Sequence, residues 1–338
     1  MVKRRISLKD IAKELGVSIS TVSRGLRDHP DISDELILKI KELAGLRNYS
    51  PNPMAMGLLK QSTKMIGVIV PDLVTHFFSS VISGIEEVAK EKGYFVIVSP
   101  SNESYSKEKA NISNLMKARV EGFIICLSQE TTDYSHFETI IDSEIPLVFF
   151  DRVCLKDKVP TVTADNFEAA RGITRHFFEN NANRIAYISG PEHLNISDER
   201  RMGYLQGLAD CGLEFRPEYL VKCDLSPTSA AVATQQLLSL PIPPDAIFGV
   251  NDTVVFAAMK EIRKSGLNVP KDILLVGFTD EFHATVVHPM LTSVMHPTYE
   301  MGRVAAELFI ELTENMNLPP KSIEMKTTLV IRESSVRK

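Results

Sequence analysis

From Met65 to Phe278 the chain alternates short apolar runs with amphipathic helical stretches, and this alternation restricts its fold more than any other feature. Met65-Ile-Gly-Val-Ile-Val70 precedes a helical stretch near residues 77–92. Tyr94-Phe-Val-Ile-Val98 precedes another near 105–118, and Phe123-Ile-Ile-Cys126 follows it. Pro146-Leu-Val-Phe-Phe150, Arg184-Ile-Ala-Tyr-Ile188, Ala246-Ile-Phe-Gly-Val250 and Ile273-Leu-Leu-Val-Gly-Phe278 continue the rhythm. Such βα alternation predicts parallel sheets with helices on both faces. A body of residues 65–338 is long enough for two such sheets with a cleft between them.

In open α/β sheets, ligands bind beyond the carboxyl ends of the strands. The residues that follow the apolar runs are Pro71-Asp72, Asp151-Arg152, Gly190-Pro191, Asn251-Asp252 and Thr279-Asp280. Several offer paired hydrogen-bonding capacity, as a polyhydroxyl ligand requires. Any one of them is as readily a helix cap or an ion-pair partner. Their shared position at strand ends makes a cleft the better joint explanation.

The first 46 residues follow a different plan. Leu8, Ile11, Ala12 and Leu15 recur at helical spacing, with Ser7 as N-cap and Asp10 in the first turn, a short capping box. Gly16 ends that helix. Ser18 caps a second, running to about Leu26 with Val22 and Leu26 inward. A third begins at Ser33, with Asp34 and Glu35 where the helix dipole favours them and Leu36, Ile37, Ile40 and Leu43 as its apolar stripe. Two short helices around a tight turn, completed by a third, fit either a helix-turn-helix or a plain three-helix bundle. Charge leans toward the first. Residues 1–64 hold 12 Lys and Arg against 7 Asp and Glu, whereas the remainder holds 26 against 36, for a formal net charge of −5. A basic head on an acidic body suits one part that meets phosphate and one that does not.

The run Ser7-Leu-Lys-Asp-Ile-Ala-Lys-Glu-Leu-Gly-Val-Ser18, followed by Thr21-Val-Ser-Arg24, resembles the DNA-binding signature of the lactose-repressor/galactose-repressor family. That resemblance implies that Ile19 and Ser20 discriminate the operator sequence and that Arg24 also reaches bases. Ser18, Thr21 and Ser23 would mainly engage phosphates, and Ser7 also falls among the DNA-contacting positions. Residues 49–64 form a linker with a latent helix: Asn52 is a good N-cap, Pro53 suits the first turn, and too few turns follow for stability alone. Tyr49-x-Pro51-Asn52, with Ala55 and Leu58 after it, is similar to the family's hinge helix. By resemblance, two such helices pair in the dimer and Leu58 wedges between base pairs in the minor groove. Met56 stands where the family often has Arg, and Gly57 lowers helix propensity.

The body resembles the same family, and the periplasmic sugar-binding-protein fold it shares, over nearly its full length. The matching stretches are Gly67-Val-Ile-Val-Pro-Asp72, Phe149-Phe-Asp-Arg152, Gly190 through Arg200-x-x-Gly203-Tyr204, Phe248-Gly-Val-Asn-Asp252, Val269-Pro-x-Asp272, Val276-Gly-Phe278, Pro289-x-Leu-Thr292 and His296-Pro297. The resemblance implies that Arg200 fixes a small-molecule effector and that Asp72, Asp151, Asn251 and Thr279 supply polar groups. Phe77 and Phe78 would form an aromatic wall, and His296 would face the cleft. The family often has Asp at position 279, where this chain has Thr279, and Asp280 offers a carboxylate one residue on.

The expected architecture is therefore an all-α helix-turn-helix domain at residues 1–48, a hinge at 49–64 and an α/β periplasmic-binding-protein-like body at 65–338. The body's first subdomain takes in about 65–163 and 296–324, its second about 164–295 and 325–338. The expected function is a regulator, in the first instance a repressor, that binds a pseudo-palindromic double-stranded DNA operator as a homodimer under allosteric control by a sugar or related effector. An activator would share these features. The C-terminal Ile331-Arg-Glu-Ser-Ser-Val-Arg-Lys338 has no leucine heptad, which favours a dimer over a tetramer.

Other classes fit poorly. There is no Gly-x-Gly-x-x-Gly after a strand, no Walker loop and no Gly-x-Ser-x-Gly elbow, so an enzyme is not expected. Cys126, Cys154, Cys211 and Cys223 show neither CxxC pairing nor His at metal spacing, and no metal or cofactor is expected. His176, His193, His283 and His288 read as surface or packing residues. No apolar run of signal-peptide or membrane-span length is found, so the expected location is the cytoplasm, not the space outside it where sugar-binding relatives of this fold work.

Overall fold

The computed structural model describes residues 6–47, 49 and 62–337. The chain divides into two compact units, Met1–Thr63 and Lys64–Lys338.

The first unit holds α1 (Leu8–Leu15), α2 (Ile19–Gly25) and α3 (Asp34–Leu46). At the start of α1, the Ser7 amide and hydroxyl both donate to the Asp10 carboxylate, at 2.9 and 2.6 Å. Gly16 ends the helix with φ of 68°, a left-handed conformation that glycine adopts without steric cost. Ile11, Ala12, Val22, Ile40 and Ala44 form the core, with Leu8, Leu15, Leu26, Leu36 and Leu43 around it. Ala44, not Ile37, completes the α3 stripe: Ile37 is half-buried and stays outside this cluster.

The second unit is built on two six-stranded sheets. The first sheet has the order β11-β5-β4-β3-β1-β2, all parallel. Its strands are β1 (Met65–Val70), β2 (Phe95–Pro100), β3 (Gly122–Ile125), β4 (Leu147–Phe150), β5 (Thr161–Ala164) and β11 (Ser322–Met325). The flanking helices are α4 (His76–Glu91), α5 (Tyr105–Lys117), α6 (Ser135–Asp142) and α11 (Thr298–Glu314). Successive β1 side chains point to opposite faces. Ile66, Val68 and Val70 pack with Val81, Ile85 and Phe309 of α4 and α11. Ile69 packs with Ile112, Leu115 and Phe137 of α5 and α6.

The second sheet has the order β12-β10-β9-β8-β6-β7, parallel except for the antiparallel β10–β12 pair. It comprises β6 (Ile185–Ser189), β7 (Leu220–Lys222), β8 (Ala246–Gly249), β9 (Leu274–Thr279), β10 (Thr292–Met295) and β12 (Thr328–Val330). Around it lie α7 (Asn166–Glu179), α8 (Asn195–Asp210), α9 (Pro227–Leu238) and α10 (Asp252–Lys264). The chain passes between the sheets three times, after β5, β10 and β11. The first and third crossings are tied together. The Asp165 carboxylate accepts from the Thr327 amide and hydroxyl at 3.0 and 2.6 Å, and the Asp165 amide donates to the Met325 carbonyl.

Candidate functional site

The exposed face of α2 is the first candidate. The Ser18 hydroxyl accepts the Thr21 amide at 3.0 Å and lies 2.7 and 2.8 Å from the hydroxyls of Ser20 and Thr21. Ile19 is 47% exposed. The Arg24 side chain is half exposed, with the Asp31 carboxylate 3.6 Å away. The half-buried Ser23 accepts a hydrogen bond from Arg27, a residue the sequence reading did not single out. The face therefore presents an apolar contact, hydroxyls suited to phosphate and a guanidinium able to bond guanine bidentately. The hinge positions Asn52, Ala55 and Leu58 lie outside the described residues.

The second candidate is a cavity of about 260 Å³ between the two sheets of the body. Asp72, Phe77, Phe78, Asp151, Arg200, Asn251 and Thr279 all line it. Thr75, Glu103, Gln129, Arg152, Ile196, Asp224, Leu225, Ser226, Thr253 and Glu281 complete the wall; of these, sequence reasoning had pointed to the cleft only for Arg152, in the strand-end pair Asp151-Arg152. Most of these groups come from strand ends, helix starts or the loops that join them, and Arg200 reaches in from the second turn of α8. Phe77 and Phe78 sit in the first turn of α4 with their rings edge to face, centroids 5.1 Å apart.

Arg200 is the best-held group. It projects from α8 and is 2% exposed. Its Nε donates to Asn166 at 2.9 Å, Nη1 donates to the Val250 carbonyl, and the guanidinium lies 3.7 Å above the Phe278 ring centroid. Burial lowers its pKa, and Asp151 opposes the shift. Asp151 has φ of 57°, and its carbonyl accepts from Asn195 of the opposite subdomain at 3.1 Å. A non-glycine residue in this region persists only where its surroundings hold it. Burial pushes the Asp151 carboxyl up, against the pull of Arg200 and Arg152. Arg152 is engaged elsewhere: its Nη1 donates to both Glu103 oxygens at 2.9 and 2.8 Å. Asn251 caps α10, its side-chain oxygen accepting from the Val254 amide at 2.9 Å.

Thr279 ends β9 with φ of 119°, and its buried hydroxyl has no partner among the described residues. Asp280 does not stand in for it, because the Arg332 guanidinium clasps the Asp280 carboxylate at 2.5 and 3.0 Å. The carboxylate that does reach the cavity from this loop is Glu281. His296 is not on the cavity wall. It packs behind, against Phe77 and Phe278 at centroid distances of 5.6 and 5.0 Å, with both ring nitrogens buried and unpartnered. Burial holds its pKa well below the usual value, so it is a neutral support for the aromatic wall.

Three cavity residues carry buried polar atoms without a protein partner: Thr75 Oγ1, Gln129 Oε1 and Thr279 Oγ1. Buried polar groups are ordinarily paired, so such orphans around one cavity are what a polar ligand would satisfy. Among the described residues, no group of three or more His, Cys, Asp or Glu could hold a metal, and no helix is long and apolar enough to cross a membrane.

Comparison with known proteins extends these observations. Residues 7–52 match a family model described as bacterial regulatory proteins, lacI family. Residues 63–332 match one described as periplasmic binding proteins and sugar binding domain of LacI family. The HTH-type transcriptional repressor CytR of Escherichia coli (strain K12) is 31% identical over 329 residues, covering 97% of this chain and 96% of the relative. Catabolite control protein A of Priestia megaterium is 30% identical, covering 98% of this chain and 99% of its own length. The structure of transcriptional regulator CelR with cellobiose superposes with a TM-score of 0.75 at 26% identity, covering 98% of this chain and 100% of that one. The lac repressor dimer bound to operator shares the fold with a TM-score of 0.85 at 24% identity, covering 99% and 100%.

Proposed function

The chain belongs to the lacI family of bacterial regulatory proteins, and from that premise we propose how it works as a transcription regulator. It acts in the cytoplasm as a homodimer that represses by occupying a pseudo-palindromic operator. Two-fold protein symmetry then matches the symmetry of the half-sites. Ile19, Ser20 and Arg24 read base edges, while Ser7, Ser18, Thr21 and Ser23 fix phosphates. The hinge segment around Asn52, Ala55 and Leu58 enters the minor groove. A small hydroxyl-bearing effector binds the body cavity through Arg200, Asp72, Asp151, Asn251 and Thr279 against Phe77 and Phe78, with His296 supporting that wall. Effector binding alters the angle between the subdomains about the three crossings, and operator affinity changes in proportion to the effector's preference for one angle.

The observation that carries this reading is the presence, in one chain, of an exposed α2 face with Ile19 and Arg24 and a cavity with a buried Arg200 and three orphaned polar atoms. The test is selection of DNA from a random pool on the purified full-length protein at stated salt. The expected result is an enriched palindrome of two half-sites. Failure to enrich any sequence, both alone and with pooled metabolites, would remove the DNA-reading role.

A further inference from the structure

The cavity wall has an unusual charge balance. Asp72, Glu103, Asp151, Asp224 and Glu281 bring five carboxylates, against Arg152 and Arg200. No lysine is among the lining residues, and Arg152 is already bound to Glu103 through both carboxylate oxygens. Arg200 is the one lining cation without a carboxylate partner, and the buried Asp151 beside it offsets its charge. A phosphate site needs free guanidinium, ammonium or amide donors gathered at one point. This wall carries three more carboxylates than guanidinium groups, in a partly desolvated space where an added anion is disfavoured. Its neutral polar groups include the atoms of Thr75, Gln129 and Thr279 that lack a partner among the described residues, which suit hydroxyls.

Two of the carboxylates come from opposite subdomains and sense each other. Asp72 follows β1 and Glu281 follows β9. Asp72 uses one oxygen, Oδ1, for the Val74 and Thr75 amides, while the Glu281 carboxylate has His283 at 3.9 Å and also feels His76 at the head of α4. Burial raises the Glu281 pKa, and the Asp72 charge adds to the rise. A cation between the subdomains would relieve that repulsion and join them.

Taking the cavity as the effector site, we infer that its ligand carries hydroxyls and no anionic group, and that a protonated amine on the ligand is favoured by Asp72 and Glu281. The inference rests on the effector reading above and narrows it to a chemical class.

The test uses the full-length protein and matched probes: common hexoses and pentoses, their amino sugars and their sugar phosphates, compared by thermal shift and then calorimetry. Each amino sugar that binds should do so roughly tenfold more tightly than its neutral counterpart, and each phosphate at least tenfold more weakly. The double variant D72N/E281Q, which keeps both side-chain shapes, should erase the amine preference, so that each amino sugar and its neutral counterpart bind within about twofold of each other. A phosphate that binds as well as its parent sugar overturns the inference while leaving the effector reading intact. So does an amino sugar that binds no better than its parent, or one whose advantage survives in the double variant. If no probe binds at all, the effector reading itself fails, and the inference with it.

Discussion

Asp252 stands one residue past Asn251 at the head of α10, and its buried carboxyl is pushed up to about 7 by desolvation. Ser293 donates to one of its oxygens at 2.6 Å and the Glu281 amide to the other at 2.8 Å, so it positions the loop that brings Thr279 and Glu281 to the cavity. The folded-state pKa lies above the ordinary value of 3.8, so the fold favours the protonated form. Stability from this group is therefore full below about 3.8 and lost as pH rises through about 7. Asp252→Asn mimics the protonated form. Its melting temperature relative to wild type should rise between pH 5 and pH 8, and parallel curves would show that the group does not titrate there. Arg200→Ala should abolish the effector response and leave operator affinity intact, as measured by DNA binding with and without ligand; a normal response would take Arg200 out of the site. Arg24→Ala should cost about 1–3 kcal/mol of operator binding and relax base choice. An unchanged binding isotherm would count against the α2 face.

Elements that bury apolar runs were the legible ones. The runs that became β1, β3, β4, β6, β8 and β9 are almost wholly apolar, and each appears at its expected place. The strands the pattern did not reveal are short and partly polar: Thr161–Ala164, Leu220–Lys222, Thr292–Met295, Ser322–Met325 and Thr328–Val330. Three of these are edge strands, where one neighbour suffices and little apolar content is needed. The return of β11 to the first sheet has no local signal, because long-range pairing decides it. The same separation explains the cavity. Strand-end residues such as Asp151 and Asn251 could be read from position alone. The engagement of Asp280 by Arg332, 52 residues away, could not, nor could the seat of His296 behind two phenyl rings. One contact between elements makes a sharp test. Gly84 of α4 and Gly302 of α11 face the other helix's backbone, at the Tyr299 and Val81 carbonyls, with no room for a Cβ. Gly302→Ala must push the helices apart, and a loss of about 1–3 kcal/mol is expected in urea denaturation. An unchanged midpoint with an unchanged slope would show that the pair separates freely.

For the whole molecule, the decisive quantity is how two weak DNA-reading heads become one tight binder. Residues 1–64 carry a net charge of +5, and the remaining residues carry −10, so attraction to phosphate comes from the head alone. On the proposed reading, only Ile19, Ser20 and Arg24 of the α2 face reach bases, too few for high affinity by one head. In a dimer, the second head binds at the effective concentration set by the linker, which raises affinity by orders of magnitude without any new kind of contact. With residues 49–64 as the proposed linker, only sixteen residues join head to body, so that gain holds only where half-site spacing matches the dimer. Scrambling one half of the selected operator should therefore weaken binding by about 100-fold or more, and so should inserting a few base pairs between intact halves. Both measurements belong at one fixed salt concentration, because the electrostatic part of the affinity changes steeply with ionic strength. A loss of only twofold on scrambling would mean that the heads bind independently. Tolerance of the insertion alongside a large loss on scrambling would mean that the linker is longer in effect than its sequence implies, and that the hinge takes no part in setting the spacing.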